Sequence, residues 1–197
     1  MADARRGRLA RSILSAAALA SVAAVGRAAE PTVRAGPSPA AGPLTLERLA
    51  GMGWPELEEL YRGAEAGPAP DGYLRGVAIY PPGSRLAGVR SAATRALWHG
   101  KVFDGPGGTL VNQWLGVRAI RARVYYGPSW LDGGAAIVMD YGGMSRVWAD
   151  VRDEAREVAP GLYLGRMYRR TPFGPQFQFY FALEACPAGS GAACARP

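Results

Sequence analysis

The stretch VRDEAREVAPGLYLGRMYRR, residues 151–170, sets five charged side chains in its first seven positions and then turns apolar. Two readings compete for its front half. Trp148, Val151, Ala155 and Val158 fall at i, i+3, i+7 and i+10, a helical spacing, and Ala and Glu are good helix formers. Read as a strand, one face carries Val151, Asp153, Ala155 and Glu157, and the other Arg152, Glu154, Arg156 and Val158. Ala159-Pro160-Gly161 then becomes a hairpin loop. Local propensity favours the helix, so the choice falls to the sequence on either side.

The flanks have the texture of β-structure. Candidate strands lie at 73–80, 98–103, 109–115, 117–126, 135–141, 147–158, 162–169 and 176–184. They are parted by turn-forming runs: DGPGG, GPSWLDGG, YGGMS, APG and TPFGP. About eight short strands joined in series by hairpin-length loops suit an up-and-down antiparallel barrel or a sandwich, because a parallel sheet needs long crossovers. Two short helices are expected ahead of the strands, at 44–50 and 55–62. The second has Pro55 at its start, acids in its first turn and Gly63 at its end. Residues 84–97 read as either a helix or an irregular crossing.

The composition is that of a globular chain: 197 residues, 49% hydrophobic and 20% charged, enough for one domain with a core. Its net charge of +7 sits largely at the front. Residues 1–28 have the pattern of a secretory signal peptide, with Arg5, Arg6, Arg8 and Arg11 ahead of an apolar run from Ile13 to Val25 and a small-residue site ending at Ala28. Arg5-Arg6 also allows a twin-arginine route. Thirteen helical residues span about 20 Å, short of a bilayer's hydrocarbon core, so no integral membrane segment is expected after cleavage. Of 23 basic and 16 acidic residues, removal of 1–28 leaves 18 and 15, a net charge of +3. That balance speaks against nucleic acid as a partner. Residues 29–43, rich in Ala, Pro and Gly, read as a disordered linker, 44–185 as the single folded domain and 186–197 as a C-terminal tail. Cys186 and Cys194, the only cysteines, suit a disulfide in an oxidising compartment, a short loop worth roughly 2–3 kcal/mol at most. The expected location is the periplasm or the exterior.

The runs WHGKVF (98–103), SWLDGGAAIVMDY (129–141), RDEAREVAPGLYLGRMY (152–168) and FQFYFALE (177–184) together resemble an uncharacterised family of small exported bacterial proteins. More distantly they look like GXWXG-type domains of unknown function. The shared elements fall on Trp98, Gly100, Lys101 and Phe103; Asp153, Arg156 and Val158; Leu164, Gly165 and Met167; and Tyr180, Phe181 and Leu183. No Gly-x-Trp-x-Gly run lies upstream. The resemblance implies a mainly β, lipocalin-like antiparallel barrel of about eight strands with no established activity, and it turns the reading of 151–158 from helix to strand.

Metal boxes, nucleotide loops and nucleophile elbows are missing from the sequence, so no metal or cofactor is expected. His99 is the sole histidine and reads as a surface or strand-edge residue. A compositional oddity says more: Lys101 is the only lysine and Asn112 the only asparagine, each mid-strand among aromatics. A compact ammonium and a short amide are not replaceable by arginine or aspartate. Inward acids on the 151–158 strand need partners, with Lys101, Arg156 or Tyr163 as candidates.

The candidate ligand-binding residues are therefore Trp98, Lys101, Asn112, Trp114, Asp140, Asp153, Arg156, Tyr163 and Tyr180, with Phe103 and Tyr125 adding to the lining. The function expected first is an exported binding protein holding a small hydrophobic molecule with a polar head inside the barrel. The alternatives are a ligand-free structural or envelope-associated module, and a barrel enzyme using Asp153 with Tyr163 or Lys101.

Overall fold

The structure, a computed structural model, describes residues 42–81 and 97–186. The expected leader and most of the expected linker, residues 84–96 of the uncertain crossing, and most of the expected tail lie outside them. Two helices come first, α1 (Leu46–Gly51) and α2 (Trp54–Gly63). Thr45 Oγ1 caps α1 by accepting from the Arg48 N–H at 3.2 Å, and Glu56 reaches back from α2 to accept from the Gly53 N–H at 2.9 Å.

Eight strands follow: β1 (Gly72–Ile79), β2 (Trp98–Asp104), β3 (Thr109–Trp114), β4 (Val117–Pro128), β5 (Ala135–Asp140), β6 (Val151–Ala159), β7 (Leu162–Thr171) and β8 (Gly174–Ala185). Each pairs antiparallel with the next, and β8 pairs back on β1 from Leu74↔Ala185 to Ile79↔Tyr180, closing an up-and-down barrel. The run 151–159 is thus a strand, and the helical spacing beginning at Trp148 is coincidental. Residues 142–150 form turns instead of extending β6 to Val147, and one of them returns Trp148 to the barrel mouth.

Alternation along the strands makes two cores, one on each side of the barrel wall. The lumen holds Leu74, Trp98, Phe103, Leu110, Ile137, Met139, Tyr141, Val151, Ala155, Tyr163, Met167, Phe181 and Leu183. Outside the wall, Val77, Ile79, Leu162, Leu164, Tyr180 and Ala182 pack under Leu46, Leu49, Leu57 and Tyr61 of the two helices. α1 lies on β8 and β1, and α2 on β6 and β7. Strand β6 is consequently buried on both faces from Val151 to Arg156. The charges from Arg152 to Arg156 alternate inward and outward, yet all four are buried.

The lumen is filled from within. A Cβ on Gly165 would lie 2.1 Å from Phe181 Cζ, and one on Gly76 would lie 2.6 Å from Trp98 Cη2. These two wall positions lack side chains because rings from neighbouring strands fold across the barrel into that space, and they meet edge to face with centroids 6.2 Å apart. Gly165→Ala should destabilise the barrel by about 1–3 kcal/mol through overpacking, measured by urea unfolding. Adding Phe181→Leu to the same chain should recover part of that loss.

Candidate functional site

The chain's single lysine and single asparagine meet at the centre of the lumen. Lys101 faces inward from β2, with Asn112 opposite it on β3, Tyr141 at the end of β5 and Asp153 on β6. The Lys101 ammonium donates to Asn112 Oδ1 at 3.0 Å, to the Tyr141 hydroxyl at 2.6 Å and to Asp153 Oδ2 at 2.9 Å. An ammonium has three protons, and all three are taken. The rings of Trp98, Tyr141 and Phe181 stand 5.3–5.5 Å from the nitrogen, so cation–π attraction fills the directions between the hydrogen bonds.

Asn112 is equally committed. Its Oδ1 accepts from Trp98 Nε1 at 3.1 Å as well as from Lys101, and its Nδ2 donates to the Tyr141 hydroxyl and the Ile120 carbonyl, each at 3.0 Å. That carbonyl is available because β4 bulges against β3 between Val111 and Asn112, leaving Ile120 at φ +64°. A β-branched residue in the left-handed region is strained by about 1–3 kcal/mol, and the Asn112 amide is what the turned carbonyl meets. The Tyr141 hydroxyl donates in turn to Asp153 Oδ2 at 3.1 Å. Burial, reinforced by the Asp153 charge, raises its pKa well above the ordinary phenol value, which fits it as a fixed donor and not as a base. Two buried polar atoms of the lumen, Asp153 Oδ1 and Trp114 Nε1, have no hydrogen-bond partner among the described residues.

The nine candidate residues divide by strand parity. Trp98, Lys101, Asn112, Trp114, Asp153 and Tyr163 share the lumen. Arg156 and Tyr180 are on the opposite face of the wall, under α2, and Asp140 sits at the rim with Arg170 Nη2 at 2.8 Å. Arg156 and Tyr180, expected in the lumen lining, thus lie outside it, while Asp140 sits at the mouth, where the end of its apolar strand leads. Alternation from Tyr141 turns Asp140 away, and alternation from Asp153 does the same to Arg156. Tyr125, also expected to line the lumen, is exposed, its hydroxyl 3.4 Å from Asp140 Oδ2. Cys186 is disulfide-bonded, while Cys194 lies outside the described residues.

A second buried polar cluster occupies the outer face and was not foreseen. Glu154 Oε1 accepts from the Trp130 N–H at 2.8 Å and Oε2 from Ser129 Oγ at 2.6 Å, with Arg152 Nη1 2.7 Å from Oε1 as an ion contact. Arg156 holds Asp132 in a two-pronged pair at 2.7 and 2.9 Å and also donates to the carbonyls of Tyr61 and Ala135. That pair lowers the Asp132 pKa. Arg166 bonds the hydroxyls of Tyr168 and Tyr180 and covers the Phe177 ring at 4.1 Å. The signal was present in the amphipathic α2, whose Leu57 and Tyr61 need a strand face to dock on. What it docks on is β6 and β7, charges included.

Each carboxylate of the two clusters, Asp132, Asp153 and Glu154, is held by a cation of the same cluster. The recess among Phe103, Val124, Ile137 and the Ala69-Pro70 segment has a volume of about 150 Å³, below the roughly 300 Å³ at which ligand pockets begin. A wider depression of about 560 Å³ is lined by Arg62, Glu65, Asp132 and Arg156 and is open to solvent. Its Arg156 is already spent on four acceptors.

No known protein-family profile matches this sequence, and no curated protein matches it. A crystal structure of a protein from Thermomonospora curvata is similar at a TM-score of 0.47 and 20% identity, over 68% of this chain and 88% of that one.

Lys101→Met leaves the Asp153 carboxylate buried without its cation and should cost about 3–5 kcal/mol in urea unfolding. The double variant Lys101→Met with Asp153→Leu should cost clearly less than the sum of the two single changes. Alkali offers a separate check. Burial pushes the phenols of Tyr163 and Tyr180 up to about 12, whereas an unfolded tyrosine ionises near about 10. Between those values the unfolded chain binds fewer protons, so stability is fully present below pH ~10 and falls as pH rises toward 12. Phenolate absorbance should accordingly lag behind that of free tyrosine and rise together with unfolding.

Proposed function

We propose that this chain is a non-catalytic structural module of the cell envelope, a rigid barrel that acts through its outer surface. The expected leader at residues 1–28 would carry it there. The observation that supports this reading most is the state of the Lys101 ammonium. Its three protons, and all four hydrogen-bonding positions of Asn112, are consumed by other lumen groups. A polar ligand head at the lumen's centre would have to break one of these bonds, and the Trp98 and Phe181 rings already fill the space its apolar body would need.

The rival reading, a binder of a small hydrophobic molecule with a polar head, draws support from one feature. Asp153 Oδ1 and Trp114 Nε1 are buried and unpartnered, and a guest could satisfy them. Decanoate, an apolar chain with a carboxylate head, separates the two. Native mass spectrometry with excess decanoate should show the unmodified mass alone, and Lys101→Leu should not change that result. A one-to-one adduct that survives gel filtration would overturn the proposal in favour of a lumen ligand.

A further inference from the structure

In an up-and-down barrel the connections alternate between the two ends, so Leu97 at the foot of β2, the β3–β4 turn, residues 141–150 and the β7–β8 turn all gather at one mouth. Among the described residues, every large exposed side chain without a polar atom belongs to this end: Leu97, Leu115, Val117, Val147 and Phe173. The exposure is extreme, at 65% for Leu115, 80% for Val147 and complete for Phe173. The other large exposed hydrophobics are Tyr125, Tyr126 and Trp130, and all three carry polar atoms.

The apolar tips are held there against local preference. Leu115 and Gly116 form a two-residue hairpin turn with φ of +46° and +77°, a geometry whose first position favours asparagine. Leucine in the left-handed region is disfavoured by its Cβ, and here it also gives up contact with the core. Charge points the same way. Asp140 and Asp150 at this mouth are matched by Arg170 and Arg169. Arg118 and Arg146 are exposed beside the apolar tips with no ion pair among the described residues, and Arg121 and Arg123 continue the positive stripe down the outer face of β4.

We propose that this end docks onto an anionic lipid bilayer, the loop tips entering the headgroup layer while the arginines contact lipid phosphates. Separate tips with bare cations between them suit a soft charged surface; a protein partner calls for a contiguous, shape-matched patch. The inference rests on the reading that the barrel works through its outside.

The test labels the full chain with acrylodan through Phe173→Cys, or through Asp71→Cys at the opposite end as a control. Vesicles of phosphatidylcholine with phosphatidylglycerol should blue-shift the Phe173→Cys label only, and high salt or pure phosphatidylcholine should reduce the shift. Leu115→Asn with Val147→Ser should weaken this binding by about tenfold or more. Leu115→Asn, which makes the turn Asn-Gly, should at the same time raise the melting temperature, so weaker binding cannot be blamed on misfolding. Absence of a shift at Phe173→Cys, or equal shifts at both labels, overturns the proposal. So does a shift that grows with protein concentration in the absence of vesicles, which would assign the end to a second copy. None of these outcomes touches the decanoate result, and an adduct there would leave the docking end unaffected.

Discussion

An ammonium withdrawn from water needs three acceptors fixed in space, and the lumen of this barrel is arranged around that requirement. Lys101, Asn112 and Asp153 come from β2, β3 and β6 and Tyr141 directly follows β5, so their bonds can form together only when the sheet has curled to the right diameter. The β4 bulge at Ile120 supplies the carbonyl that completes the Asn112 amide. A network saturated to this degree rewards one strand register and penalises slippage, since a one-residue shift would turn Lys101 or Asp153 to the other side of the wall.

The outer face repeats the logic with arginine. Arg152, Arg156 and Arg166 set their guanidinium groups 4.1–4.6 Å from the ring centres of Trp130, Tyr61 and Phe177, each held by carbonyls, hydroxyls or a carboxylate. Planar, weakly hydrated guanidinium groups tolerate this sandwiching where an ammonium would not. The helices thus cover charge as well as apolar surface, and β6 is the element that both layers share. Its alternating sign pattern is the signature of a strand with a polar network on each side.

Much of the fold could be read from the sequence: turn chemistry located the strands to within a few residues, and the rarity of Lys101 and Asn112 marked the centre of the lumen. Strand parity was legible as well. Ile137, Met139 and Tyr141 share one face, which already turned Asp140 outward, and Asp153 inward meant Arg156 outward. The outer cluster was hidden for a different reason. Whether a strand's second face meets water depends on what docks there, and the docking of α2 on β6 and β7 is a long-range fact that no local pattern encodes. The packed lumen was equally invisible, because a glycine in a strand looks the same whether it marks a bend or makes room for a ring.

Seven of the eight strand pairings join neighbours in the chain, and the eighth brings together Leu74 and Ala185, more than a hundred residues apart. Sealing therefore joins the two ends of the sheet, with a loop-closure entropy to overcome before any of its contacts form. Without β8 in place, a partly folded chain is a ribbon with two bare edges, each able to recruit a stranger's strand. Damage that removes even part of residues 174–185 thus threatens far more than the tail, because it reopens the cylinder along its full height.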